Sequence, residues 1–203
     1  AGQIAAGLAA EGKLDEAFAF DPASPEAHLA RAEAAVRAGA GPRAARDHLD
    51  RALGTGRHHI PALRLRAELA VREKDWRAAR GDLDRLLDVD PADTAARRRL
   101  SRALLELGKD EDAAAAVRDT VRSDTGQFAG VLADLSDQAD GLEKKFPGAP
   151  GIPAGWLARG LTAVRDGLPE GGPRGVLSDA LRRAAMVPTE AERLAVLRTA
   201  VRP

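Results

Sequence analysis

The stretch that decides the fold is residues 60–93, which read IPALRLRAELAVREKDWRAARGDLDRLLDVDPAD. Apolar residues recur at helical spacing on both sides of the polar segment Glu73–Asp75. These positions are Leu65, Leu69, Trp76, Ala79, Leu83, Leu86 and Leu87. Pro91 ends the pattern, because proline cannot continue a helix. The stretch therefore predicts two amphipathic helices joined by a tight turn.

The same pattern returns at a fixed interval along the chain. Ala45, Ala79 and Ala113 are 34 residues apart, and a larger apolar residue follows each of them by four positions. Small residues let two antiparallel helices approach closely, while the larger ones fill the space between one hairpin and the next. A single hairpin cannot bury its apolar face alone, but a stack of hairpins can. The interval therefore predicts an all-α protein of stacked helix hairpins with essentially no sheet.

Residues 25–124 resemble tetratricopeptide repeats, whose 34-residue pattern has small and large residues at these positions. The best-matching unit is Ile60–Asp93. The unit before it runs from about Pro25 to His59 and has an extra residue in its turn, and the unit after it runs from Thr94 to about Gly126. Gly12–Phe18 resembles part of a still earlier unit. The resemblance implies an α-solenoid of antiparallel helix hairpins.

The regular interval ends after the third unit, and the chain beyond it follows a diverged pattern. We therefore expect residues 1–124 to form the repeats, the first of them partial, and residues 125–203 to form a diverged C-terminal helical region. Phe128–Lys145 predicts one longer amphipathic helix. Phe146–Pro153 is rich in Pro and Gly and predicts a connector.

Two more helical segments follow this connector. The spacing of Trp156, Gly160 and Ala163 is that of a first helix in the family. A second helix is predicted from about Arg174 to Ala185, and the two together predict a diverged repeat. Thr189–Glu192 forms a capping box, in which the first and last side chains satisfy each other's backbone amides. We expect the helix that it opens to cap the solenoid.

Composition excludes several classes of protein. The chain has 31 basic and 31 acidic residues, so its formal net charge is zero, which argues against a nucleic-acid partner. It has no cysteine, which excludes a disulfide framework and thiolate metal sites. No apolar run approaches the length that crosses a bilayer. We therefore expect no cofactor, no nucleic-acid partner and no membrane span.

Three patterns that can carry chemistry are better explained as structure. His58-His59 lacks the spacing of a metal-binding helix and predicts a solvent-facing loop. The carboxylates of Asp84–Asp93 lack the order of a calcium loop. Gly7–Lys13 resembles a phosphate loop without its hydroxyl residue and predicts a helix end and a turn. We expect no metal site and no catalytic residue, and both tryptophans are expected to pack between helices.

The candidate binding residues are Arg64, Glu68, Arg98 and Arg102. Arg64 and Arg98 are one repeat interval apart, as are Glu68 and Arg102. By the resemblance, these residues face the concave groove, and guanidinium groups suit recognition of carboxylates. The family's clamp for C-terminal carboxylates uses Lys and Asn, but this chain has no Asn, and Glu68 occupies one clamp position. A groove for an acidic segment is one interpretation, and arginines on a solvated or salt-bridged face are the other.

These observations predict a non-catalytic scaffold that binds a protein or peptide partner in its concave groove. Two alternatives stay open: a regulatory or substrate-docking domain of a larger bacterial enzyme such as a kinase, and an envelope assembly factor. The chain begins with Ala, from which we expect a processed protein, a tag remnant or an excised fragment. The compartment, cytoplasmic or periplasmic, and the oligomeric state are left open by the sequence.

Overall fold

The computed structural model describes residues 1–201, and over this part of the chain the protein is all-α. Residues 1–201 contain twelve α-helices and a short 3₁₀ turn at Thr125–Gln127, with no strand among them. Contacts divide the chain into two compact units, Ala1–Pro91 and Ala92–Pro203. The predicted fold class, helix hairpins of the solenoid type, is confirmed.

Each unit contains six helices. Those of the first unit are α1 (Gly2–Ala10), α2 (Leu14–Phe20), α3 (Pro25–Arg37), α4 (Pro42–Thr55), α5 (Ile60–Arg72) and α6 (Trp76–Val89). Those of the second unit are α7 (Thr94–Glu106), α8 (Asp110–Ser123), α9 (Phe128–Lys145), α10 (Gly151–Gly167), α11 (Gly172–Met186) and α12 (Glu190–Val201). Helix α9 has the predicted bounds, whereas α10 begins inside the predicted connector.

In the first unit, consecutive helices pair as hairpins. Helix α1 packs on α2, α3 on α4, and α5 on α6, while α3 and α5 also contact the preceding hairpins. Ala45 and Ala79 are fully buried, and Leu49 and Leu83 beside them are at most 1% exposed. The repeated small and large positions in the sequence are therefore the positions at which helices meet.

The tight turns inside three hairpins share one backbone conformation. Gly39, Lys74 and Gly108, each just after a first helix, adopt positive φ angles of 65°, 60° and 72°. In this conformation the backbone amides of the turn bond back to the last carbonyl groups of the helix, as Asp75 N does to Ala70 O. Lys74 is the only non-glycine residue among residues 1–201 with positive φ.

Side-chain caps fix the start of several helices. Ser24, Asp75 and Asp93 each accept a hydrogen bond from the backbone amide three residues further on. The capping box of Thr189 and Glu192 is confirmed, with Thr189 Oγ1 donating to Glu192 Oε2 at 2.8 Å and accepting from the Glu192 amide at 3.2 Å. These caps explain why the helices begin where they do.

In the second unit, α10 is the central helix. It packs against α8, α9, α11 and α12, while α9 also contacts α7 and α8. Trp156 is fully buried at the centre of α10, as expected for a core residue, whereas Trp76 on α6 of the first unit is half-buried. Two glycines of α10 allow close helix approach: a Cβ on Gly160 would lie 2.5 Å from Leu135 of α9, and one on Gly167 would lie 2.7 Å from the carbonyl oxygen of Arg118 on α8.

Candidate partner-binding surface

In the first unit, two of the predicted binding residues lie on α5. Arg64 and Glu68 are four residues apart, so they share one face of the helix. Arg64 is exposed and Glu68 is half-buried. The side of α5 away from them, which includes Ala62 and Ala70, is buried against neighbouring helices. Helix α5 therefore presents one cation and one anion together on its outer face.

In the second unit, Arg98 and Arg102 lie on α7 with the same four-residue separation. Arg102 is exposed and Arg98 is half-buried. The Nε atom of Arg98 donates to Asp134 Oδ2 of α9 at 2.6 Å, and Nη2 donates to the Gly130 carbonyl at 3.3 Å. The hydrogen bond with Asp134 raises the pKa of Arg98, against the opposing effect of burial. The guanidinium of Arg98 is thus engaged by α9 of the same unit.

The contact between α7 and α9 is closely fitted around this arginine. A Cβ on Gly130 would lie 3.0 Å from Arg98 Nη1, so a glycine leaves the space that the guanidinium occupies. Gln127, in the turn before α9, accepts a further hydrogen bond from Nη1 at 3.5 Å. Of the two interpretations of this arginine, the salt-bridged face describes its contacts in the structure.

Sequence reasoning missed a second arginine cluster in the first unit. Arg66 on α5 donates through Nε and Nη2 to both carboxylate oxygens of Asp82 on α6, at 2.7 and 2.5 Å, and through Nη1 to Asp50 on α4 at 2.5 Å. Asp82 is only 4% exposed. The hydrogen bond with Asp82 is the main cause that raises the pKa of Arg66. This network ties three helices of two hairpins together.

The spacing between the bonded residues is a sequence signal for this network. Arg66 bonds to Asp50, 16 residues before it, and Arg31 bonds to Asp15 at 3.0 Å with the same separation. In both pairs, an arginine on a first helix reaches the second helix of the preceding hairpin. The pairs are therefore repeated structural contacts between hairpins.

A histidine pair in the first unit was also missed. Nδ1 of His28 on α3 lies 3.2 Å from Nδ1 of His48 on α4, and Nε2 of His28 lies 3.1 Å from the Pro22 carbonyl oxygen. His28 is 5% exposed. Burial is the main cause that lowers the pKa of both histidines, and the positive charge of Arg51 adds to it. The pKa of each histidine therefore lies below that of an exposed imidazole.

The three chemical patterns of the sequence have structural roles. His59 caps α5, its Nδ1 accepting from the Ala62 amide at 3.3 Å, and its side chain is 15% exposed, so the expectation of a solvent-facing histidine is wrong at this position. Asp93 caps α7. Gly7–Lys13 spans the end of α1 and a turn, as predicted. Among residues 1–201, no three His, Asp or Glu side chains are grouped to hold a metal ion.

Comparison with known proteins agrees with this architecture. The sequence profile described as tetratricopeptide repeat matches residues 64–128, which contain α6, α7 and α8. Residues 64–128 therefore carry tetratricopeptide repeats. Tetratricopeptide repeats in general mediate protein–protein interaction, and their fold is generally a non-catalytic scaffold.

A solved structure supports the same fold. The structure titled "Functional Characterization of Pseudomonas Aeruginosa pilF" is similar with a TM-score of 0.51 and 18% sequence identity, over 96% of this chain and 86% of that one. At this identity, the similarity to that structure shows the fold alone. The comparison with curated proteins found no match. Within residues 1–201, every helix is too short or too polar to cross a membrane.

Proposed function

We propose that this protein is a non-catalytic scaffold that binds a protein or peptide partner through its first helices. The observation that carries the proposal is the repeat itself, matched over residues 64–128 and built as helix hairpins in each unit. Stacked hairpins present extended surfaces, and the common use of such surfaces is to bind other chains.

The residues proposed to contact the partner are Arg64 and Glu68 on α5 and Arg98 and Arg102 on α7. An acidic segment suits them because a guanidinium forms two parallel hydrogen bonds with a carboxylate. The contact of Arg98 with Asp134 supports this preference, since it is a guanidinium on a first helix that holds a carboxylate from another helix. A partner that uses Arg98 must compete with Asp134 for its guanidinium.

The experiment is site-specific photocrosslinking in cells of the organism that encodes the chain. A photoreactive residue replaces Arg64 or Arg102, and in matched controls it replaces Arg43 on α4 or Arg122 on α8, which are exposed arginines on second helices. The proposal expects one protein crosslinked from position 64 or 102 and absent from positions 43 and 122. Crosslinks confined to the control positions, or no discrete product from any position, would contradict it.

A further inference from the structure

Helix α11 of the second unit exposes two large apolar side chains to solvent. Val176 is 62% exposed and Met186 is 76% exposed, and they are the two most exposed large apolar side chains among residues 1–201. The helix is buried on its other side, at Leu177, Ala180 and Ala184. Covering these two side chains with another apolar surface would remove apolar area from water, which favours association.

Charged residues lie between these two apolar residues on the same face. At 100° per residue, Val176, Asp179, Arg183 and Met186 fall within one narrow arc of the helix. Asp179 has a side chain that is 63% exposed and pairs with Arg182 at 3.1 Å, and Arg183 is also exposed. Along the helix, this face therefore carries an apolar, an acidic, a basic and an apolar residue in that order.

This order is self-complementary in an antiparallel arrangement. Val176 and Met186 are each five residues from Leu181, and Asp179 and Arg183 are each two residues from it. A two-fold axis near Leu181 therefore sets Val176 beside Met186 of a second copy and Asp179 beside Arg183 of that copy. An interface between identical chains needs such self-complementarity, because the same patch serves both sides.

We infer that α11 is a self-association surface, on which a second copy of this chain packs its own α11 in antiparallel orientation. Each contact would occur twice, giving two apolar pairs and two ion pairs. The area of one helix pair is below that of a standard stable interface, so the dimer is of the weak, concentration-dependent class. The inference goes beyond the proposed partner surface and does not depend on it.

The test is sedimentation velocity of the full chain over a concentration series, with circular dichroism to verify that each variant folds. The wild type is expected to increase in average mass with concentration. Met186→Asp is expected to abolish this increase, since it buries a charge in each apolar pair, while Arg122→Asp on α8 serves as an exposed control and is expected to behave as wild type.

A charge exchange tests the antiparallel register. Asp179→Arg sets two arginines opposite each other, and Arg183→Asp sets two aspartates opposite each other, so each single variant is expected to weaken the dimer at least fivefold. The double variant Asp179→Arg/Arg183→Asp is expected to restore it. A chain that stays monomeric at every concentration overturns the inference. A dimer insensitive to Met186→Asp, or not restored by the double variant, also overturns it.

Discussion

Arg98 on α7 donates a hydrogen bond to Asp134 on α9, with 2.6 Å between Nε and Oδ2. This contact joins a predicted partner-binding residue to the helix that follows the regular repeats. The side chains are 31% and 34% exposed, so water partly screens the pair. The contact joins α7 to α9 within the second unit. It also occupies the guanidinium of Arg98, which we propose for partner recognition.

The stability of this link can be measured with a double-mutant cycle. Combining Arg98→Gln with Asp134→Asn should give a coupling energy of about 0.5–1 kcal/mol, above that of an exposed pair, because both groups are only partly solvated. The same cycle on Arg80 and Asp84, an exposed pair within α6, should give about 0.3–0.5 kcal/mol. Urea unfolding of the four variants of each cycle provides the numbers. A coupling at Arg98 no larger than that of the control would show that the contact does not hold α9.

The histidine pair predicts a specific pH dependence of stability. The pKa values of His28 and His48 are lowered in the folded chain, first by burial. The unfolded chain then binds more protons below about pH 6.5, so this contribution to stability is complete above that pH and is lost as the pH falls. Arg31 and Arg51 add repulsion to a protonated His48, and Asp47 opposes it.

The measurement is the thermal midpoint at pH 7.5 and pH 5.5. We expect His48→Gln to reduce the drop in Tm between these two pH values, since one of the two paired imidazoles no longer titrates. His58→Gln, at an exposed histidine, is the matched control and should keep the wild-type drop. An equal drop in wild type and His48→Gln would refute this account of the pair.

Two glycines of α10 should be more sensitive to substitution than a third. Gly167→Ala brings a methyl group within 2.7 Å of a backbone oxygen of α8, which cannot easily move, so we expect a loss of about 1–3 kcal/mol. Gly160→Ala meets Leu135, a side chain that can rotate, and should cost less. Gly155→Ala meets only the end of Arg159 at 3.6 Å and should be neutral or stabilising by up to about 1 kcal/mol. Denaturant unfolding ranks the three, and a reversed ranking would mean that α10 packs differently.

The hairpin turn at Lys74 offers a stabilising substitution. Lys74 has φ 60°, a conformation in which a side chain costs roughly 1–2 kcal/mol and glycine does not. Lys74→Gly should therefore raise stability by up to about 1 kcal/mol, while Gly108→Ala, at the equivalent turn with φ 72°, should lower it. Thermal unfolding measures both, and a decrease in the first variant would disprove the shared turn geometry.

The sequence predicts the hairpins well because their cause is local and periodic. Ala79 and Leu83 recur at the repeat interval since helices meet there, and the capping box at Thr189 follows from adjacent residues. The partners of Arg98 and Arg66 could not be assigned in this way, because Asp134, Asp50 and Asp82 lie on other helices and many carboxylates compete at the sequence level. The 16-residue separation between Arg66 and Asp50 is a usable signal, but only once the hairpin geometry is known.

The same reasoning explains the histidines. His28 and His48 are 20 residues apart and lie on the two helices of one hairpin, so their contact depends on the rotation of each helix. His59 follows a turn whose sequence is typical of an exposed loop, yet its ring accepts a hydrogen bond from a backbone amide at the start of α5. A capping role for histidine is uncommon, since Ser, Thr, Asp and Asn are the usual caps.

The most direct test of the central claim is the affinity of the crosslinked partner segment for charge-reversal variants. Isothermal titration should compare wild type with Arg102→Glu and Arg64→Glu on first helices, and with Arg122→Glu and Arg43→Glu on second helices. A charge-assisted hydrogen bond contributes about 1.5–3 kcal/mol, so at least one first-helix variant should bind about tenfold or more weakly, with both controls near wild type. Equal affinity for all four variants would contradict the proposal that the first helices bind the partner.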